Sequence, residues 1–165
     1  MMPETYDIAS GWRPGLVGWT VARHGAYYAE HWNFGPEFEA KVAREMGAFV
    51  DRLGAPGTHL FSASDAQGYL ATLTVDGGEQ EAEHAHLRWF IASDRARGLG
   101  LGQRLMARAI QAARKDQARG LYLHTFKGLE AARKVYLNAG FTITDEAEDA
   151  TWGTRVTEQH YALTF

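Results

Sequence analysis

Asp94-Arg95-Ala96-Arg97-Gly98-Leu99-Gly100-Leu101-Gly102 stands between an apolar run, Leu87-Arg88-Trp89-Phe90-Ile91-Ala92, and a helix-periodic stretch that begins at Gln103. A glycine-rich turn from strand into helix leaves successive backbone N–H groups without an intrahelical partner. The helix dipole adds partial positive charge at the same place, so an anion is the natural guest. The glycine spacing narrows the choice of anion. Gly98, Gly100 and Gly102 do not complete the dinucleotide fingerprint G-x-G-x-x-G, because position 103 is Gln, and Gln103-Arg104 stand where a P-loop has Lys-Ser. ATP, NAD and flavin readings are disfavoured.

Outward from this turn, strand-like and helix-like stretches alternate. Thr5 to Ser10 is a short strand, Gly11-Trp12-Arg13-Pro14-Gly15 breaks it, and Leu16 to Trp32 is a helix rich in aromatics. Pro36 suits a first helical position. From there Phe38, Val42, Met46, Phe49, Val50 and Leu53 recur at intervals of three and four, giving a helix with one apolar face that ends near Gly54. Thr58 to Ser64 and Tyr69 to Val75 make a hairpin closed by Asp65-Ala66-Gln67-Gly68. Asp76-Gly77-Gly78 is expected to turn the chain, Glu79 to Glu83 to be a polar link, and Ala85 to Ala92 to be the next strand. After the glycine turn, Leu101, Leu105, Ala109, Ile110 and Ala113 share one helix face, with Gly120 as the expected stop. Leu121 to Thr125 is a buried strand, parallel to the previous one if a right-handed crossover joins them. Glu130 to Asn138 is a short helix stopped by Gly140, and Phe141 to Thr144 and Arg155 to Thr164 are closing strands. The last of these is expected to expose an edge that invites pairing, so a homodimer is an expectation.

The chain of 165 residues fits a single domain, residues 1–165, with a core that needs no staples. Hydrophobic residues make up 45%, which argues against disorder, and no apolar run approaches the roughly 20 residues of a membrane span. The start, Met1-Met2-Pro3-Glu4, lacks the basic-then-apolar order of a signal peptide, so a cytoplasmic setting is expected. The absence of cysteine excludes disulfides and thiol nucleophiles. With a net charge of −3, nucleic acid is not an expected partner, nor is a membrane.

Arg97-Gly98-Leu99-Gly100-Leu101-Gly102 matches [QR]-x-x-G-x-[GA], and with it the chain resembles the GNAT N-acetyltransferase superfamily. The resemblance continues through Gly120, Leu121-Tyr122-Leu123, Ala132, Tyr136 and Gly140-Phe141, in the order and spacing of that superfamily's last third. At the front, Val21-Ala22-Arg23-His24-Gly25-Ala26-Tyr27-Tyr28 followed by Phe38-Glu39-Ala40 is similar to the acetyltransferase domain found alone or fused to MarR-type regulators. The resemblance implies an α/β fold with a mixed, mostly antiparallel sheet, a central splayed parallel strand pair and about four flanking helices. It implies acetyl-CoA as cosubstrate, with its pantetheine arm in the splay. Backbone groups of Phe90, Ile91 and Ala92 would meet that arm, and the amides of Arg97, Gly98, Leu99, Gly100, Leu101 and Gly102 would hold the pyrophosphate. Glycine at 98, 100 and 102 would let the backbone come close without a β-carbon in the way. Ala132 and Tyr136 stand in the same cofactor-binding frame. Asp94 replaces a proline that the family often has, and Leu129 replaces its usual asparagine, removing one side-chain contact to the cofactor.

Tyr136 is the candidate proton donor to the departing thiolate, whose pKa lies a little below the roughly 10 of a phenol. A core tyrosine that only hydrogen-bonds the sulfur is the alternative. An amine acceptor, small molecule or peptide, arrives as an ammonium ion and must lose a proton. Candidate bases are Glu83, His84 and His86, which lead into the strand beside the thioester; a relayed water, or no dedicated base, stays open. His84 and His86 share a strand face but no third ligand stands nearby, so no metal is expected. His24, Tyr27 and Tyr28 lie on the helix that borders the acceptor pocket in such folds, as contacts or as packing. His31, His59, His124 and His160 stand in no motif. Lacking a nucleophile motif, the chain is expected to transfer directly in a ternary complex. A non-catalytic acyl-CoA-binding regulatory module is the alternative.

Overall fold

The computed structural model describes residues 5–165. In chain order it contains β1 (Asp7–Ser10), α1 (Leu16–Trp32), α2 (Pro36–Asp51), β2 (Thr58–Asp65), β3 (Gly68–Glu81), β4 (His84–Ala92), a single 3-10 turn (Asp94–Ala96), α3 (Leu101–Lys115), β5 (Gly120–Phe126), α4 (Glu130–Ala139), β6 (Thr142–Asp149) and β7 (Val156–Thr164). The seven strands form one sheet in the order β1-β2-β3-β4-β5-β7-β6. Among the described strands only β4 and β5 run parallel, joined through α3. This is the expected mixed architecture with four helices.

Two apolar layers hold it together. On one face Leu101, Leu105, Met106, Ala109 and Ala113 of α3 pack with Tyr136 of α4 and with Phe61, Leu73, Leu87, Leu121, Leu123 and Tyr161 of the sheet. On the other, Leu16 of α1 and Val42, Met46 and Phe49 of α2 pack on Leu60 and Trp89. Each large side chain so buried contributes about 1.5–3 kcal/mol. Gly140, at φ 102°, closes α4; the Phe141 amide then donates to the Tyr136 carbonyl at 3.0 Å, turning Phe141 into the core at 1% exposure.

Four expectations are corrected. Asp76-Gly77-Gly78 does not turn the chain, because β3 runs on to Glu81. Asp76 is fully buried and accepts hydrogen bonds from Arg52 Nη1 at 3.0 Å, Arg52 Nη2 at 2.8 Å and the Gly78 amide at 3.0 Å. Gly77 donates to the Gly57 carbonyl at 2.9 Å, an approach that a Cβ at 77 would block. The three residues anchor the strand to the end of α2. Gly120 does not stop α3; it opens β5, where a Cβ would lie 2.0 Å from the Leu163 carbonyl oxygen. Gln117, at φ 63°, takes the turn instead. The strand after Phe141 is longer than expected, Thr142–Asp149, since its carboxylates and hydroxyls pair across to β7 rather than forming a loop. Finally, β7 is interior, between β5 and β6, so the exposed edge belongs to β6, whose Asp145, Glu146, Glu148 and Asp149 blunt it.

Candidate active site

The sheet opens in its middle. Register between β4 and β5 covers His84–Gly120, Ala85–Leu121 and His86–Tyr122, and no pair follows although both strands continue. Just beyond this vertex β4 carries a bulge. Thr72 pairs with Ile91 and Thr74 with Arg88, so Trp89 and Phe90 together oppose Leu73. Trp89 takes φ 48°, a conformation that a bulky residue adopts only under local constraint. The bulge breaks strand alternation: Leu87 packs with α3, Arg88 and Trp89 both lie on the α1/α2 face with the guanidinium 4.2 Å over the indole, and Phe90 returns to Tyr136. Phe90 and Ile91 thus line the open strand. The Ala92 carbonyl is already engaged, accepting from Arg23 Nε at 2.9 Å.

The glycine loop follows directly. Gly98 at φ 79° and Gly100 at φ 69° need left-handed backbone, and a β-carbon on either would face open space. The amides of Gly98, Gly100, Leu101, Gly102 and Gln103 find no acceptor among the described residues. They surround the start of α3 and leave it a cradle for an anion. Gly102 has a different reason to be glycine: a Cβ there would approach Phe90 Cζ and Val135 Cγ2 at 3.1 Å. Arg97 is 86% exposed beside the loop, and Arg23 Nη2 reaches Asp94 at 3.3 Å, tying the loop to α1.

Tyr136 is 5% exposed, with Phe90 and Tyr161 rings at 6.0 and 5.8 Å. Burial, then the neighbouring Tyr28 and Tyr161 hydroxyls, push its pKa well above the ordinary phenol range, with the Thr125 hydroxyl opposing. Tyr28 is raised likewise, chiefly by burial. Phenols from α4 and from α1, on opposite faces of the sheet, therefore approach one another by the open part of β5. Ala132 sits half-buried one turn before Tyr136, and Leu129 caps α4 without a side-chain hydrogen bond.

The candidate bases part company. Glu83 lies in the β3–β4 bend at the closed end of the pair, 2.8 Å from Arg119 Nε. His84 is held by the Ala82 carbonyl and by Thr164 Oγ1 at 2.9 and 2.8 Å. His86 is at the vertex, stacked 4.4 Å over Tyr122 and 3.2 Å from Glu79. Burial first, then the Arg88 charge, lower its pKa to about 4 against the pull of Glu79. Neutral at pH 7, it is a weak base. Arg88 itself bridges Glu45 and Glu79 at 2.5 and 2.9 Å.

On the α1/α2 side an aromatic wall joins Tyr28, Trp32, Phe34, Phe38, Phe126 and Trp152; Tyr28 lies 4.8 Å from Phe38, and Phe38 5.6 Å from Trp152. His24 is buried, its Nδ1 2.7 Å from the Thr20 carbonyl and its ring stacked on Tyr28, so it packs the wall from behind. Three features were not foreseen from sequence: the Trp89 bulge, Arg23 on Ala92, and a cluster of Glu81, His124 and His160. The bulge leaves no mark in an apolar run, and the cluster depends on strand register that sequence does not state.

A family model described as the acetyltransferase (GNAT) family matches residues 22–141. No match is found among curated proteins. The fold is similar to that of the ribosomal-protein-alanine N-acetyltransferase of Brucella melitensis, at TM-score 0.76 and 14% identity over 96% of this chain and 99% of that one. It is similar to the ribosomal-protein-S18-alanine N-acetyltransferase of Escherichia coli, at TM-score 0.69 and 17% identity over 97% and 94%. A third likeness is to yncA of Salmonella typhimurium, solved with its cofactor acetyl-CoA, at TM-score 0.73 and 14% identity over 96% and 93%.

Proposed function

This chain belongs to the GNAT acetyltransferase family, and we propose that it moves the acetyl group of acetyl-CoA to a primary amine by direct attack in a ternary complex. The observation that carries the reading is the set of unpaired amides of Gly98, Gly100, Leu101, Gly102 and Gln103 at the start of α3, beside a strand pair that opens after His86 and Tyr122; the Arg97 and Leu99 amides, expected in that set, donate instead to the Asp94 and Ala96 carbonyls. The loop fits a pyrophosphate, and the splay fits a narrow arm that takes its hydrogen bonds from backbone. Bound there, acetyl-CoA supplies an acyl group already activated as a thioester.

The protein's own part is orientation and proton traffic. Phe90 and Ile91 offer backbone groups along the open edge of β4. The amine enters from the α1/α2 face, past the aromatic wall, and attacks the acyl carbon as the carbon–sulfur bond breaks. Tyr136 keeps its proton at neutral pH and gives it to the sulfur, and the proton that the acylated nitrogen sheds on becoming an amide restores the phenol. The ammonium proton leaves before attack. Of the candidate bases we favour His86, through Glu79 or water, because it stands at the vertex with Glu79 3.2 Å away, whereas Glu83 lies at the closed end against Arg119. The test is release of free thiol from acetyl-CoA across a panel of primary amines, with product masses raised by one acetyl group. No turnover with any amine, at concentrations where acetyl-CoA binds, sinks the enzyme reading.

A second reading, an acyl-CoA-binding regulatory module without turnover, draws on two observations. His86 is a weak base at about 4, and Leu129 supplies no polar side chain at the start of α4. Tight binding with no thiol release in the same assay selects it.

A further inference from the structure

β5 and β7 place His124 and His160 directly opposite one another, and the tail of β3 lays Glu81 across both. The tail is held there by Tyr122, whose hydroxyl donates to the Glu79 carbonyl at 3.0 Å. Glu81 Oε2 is 2.9 Å from His160 Nε2, and Glu81 Oε1 is 4.0 Å from His124 Nε2. One donor atom from each of the three residues lies within 4.8 Å of the others. The far nitrogen of His160, Nδ1, is engaged separately by the Thr144 hydroxyl, while His124 Nδ1 stands 3.4 Å from Glu158 Oε1, near enough for charge attraction but not hydrogen-bonded to it. An oxygen that holds Nδ1–H fixes the tautomer and presents the Nε2 lone pair, the arrangement that supports imidazole as a metal ligand. Ring orientation is fixed as well, with Tyr122 stacked 5.6 Å from His160 at 15°.

We propose that Glu81, His124 and His160 bind a divalent first-row transition metal ion, zinc foremost. Two imidazoles and one carboxylate suit zinc, cobalt or nickel and do not suit magnesium or calcium, which take oxygen donors. Three protein ligands leave a coordination position open. It faces an open pocket of about 380 Å³ lined also by Asp145, Ala147 and Glu158, so water or an oxygen donor of a bound molecule completes the shell. Metal binding here ties β3 to β5 and β7 across β4, over the vertex of the splay.

The test is titration of untagged, chelator-stripped protein with Co²⁺, followed by its visible d–d absorption, then displacement with Zn²⁺. One equivalent of cobalt should bind with a four- or five-coordinate spectrum and be displaced by zinc. His124→Ala and His160→Ala should each weaken binding by at least about 10²-fold, and Glu158→Gln by about 10-fold or more. His124 is 42% exposed on its side chain, so His124→Ala and Glu81→Gln decide the matter should His160→Ala fold poorly, with circular dichroism as the fold check. Absence of saturable cobalt binding up to millimolar metal overturns the proposal and leaves a carboxylate–imidazole network. So does binding of equal strength in His124→Ala and Glu81→Gln.

Discussion

Tyr136 and His24 are both buried titratable groups, and burial moves them in opposite senses. For Tyr136 it favours the protonated phenol, so the proton is present through the neutral pH range. Tyr136→Phe removes one oxygen and keeps the ring: kcat should fall by about 10²-fold while acetyl-CoA affinity holds, read by paired turnover and calorimetric titrations. Turnover equal to the parent would falsify the acid role and leave the family reading untouched. For His24 burial favours the neutral ring and lowers the pKa to about 4. The unfolded chain therefore binds more protons than the native one between about pH 4 and 6.5, so stability rises with pH through that window and is lost as pH falls. His24 alone should withdraw roughly 2 kcal/mol between pH 6.5 and 4.5. Urea midpoints at the two pH values should differ less in His24→Asn than in the parent. His86 adds a loss of the same sign.

Among the elements, the loop and the β3 anchor have separable consequences. Gly100→Val puts a branched side chain at φ 69° in front of the unpaired amides, and acetyl-CoA affinity should drop about tenfold or more with the fold retained, as calorimetry would show. Arg52→Ala should instead cost stability. Burial pushes the Asp76 carboxyl up, and Arg52, together with the Gly78 amide and the Arg88 charge, brings it below the usual carboxylate range, so removing the Arg52 guanidinium leaves a fully buried carboxylate without its main partner. The expected loss is about 2–3 kcal/mol in urea unfolding, smaller than for a fully buried pair because Arg52 is 44% exposed. The same contrast explains what sequence disclosed. Periodicity along α2 and α3 and the glycine spacing at 98, 100 and 102 are local signals, and they placed the helices and the glycine turn that opens α3. Asp76-Gly77-Gly78 has local turn chemistry, but Arg52 and Gly57, distant in sequence, override it. His124 and His160 come together only through the β5–β7 register, which no short stretch encodes.

For the whole molecule, the two halves of the sheet meet at three residue pairs and are otherwise joined by helices and the β3 tail. A ligand lodged between them should stabilise the fold by linkage. Acetyl-CoA at about 100 times its Kd should add about 2.7 kcal/mol, raising Tm by roughly 5–10 °C in a thermal melt. Direct transfer predicts intersecting double-reciprocal plots; parallel lines, the mark of a covalent acyl-enzyme, would oppose it. The opening between β4 and β5 also changes how many edges the sheet owns: four instead of two. The outer pair are a four-residue strand and a strand studded with acids, both poor templates for a stranger. The inner pair converge on a point and are fronted by Tyr28, Trp89 and Tyr136. A foreign polypeptide would have to bring side chains on both faces into that wedge, where rings already stand. The thioester end of a pantetheine arm, a plain chain of methylenes and an amide, brings none. The taper that protects this protein from adding strands to itself is thus also what makes it choosy about the shape of its ligand.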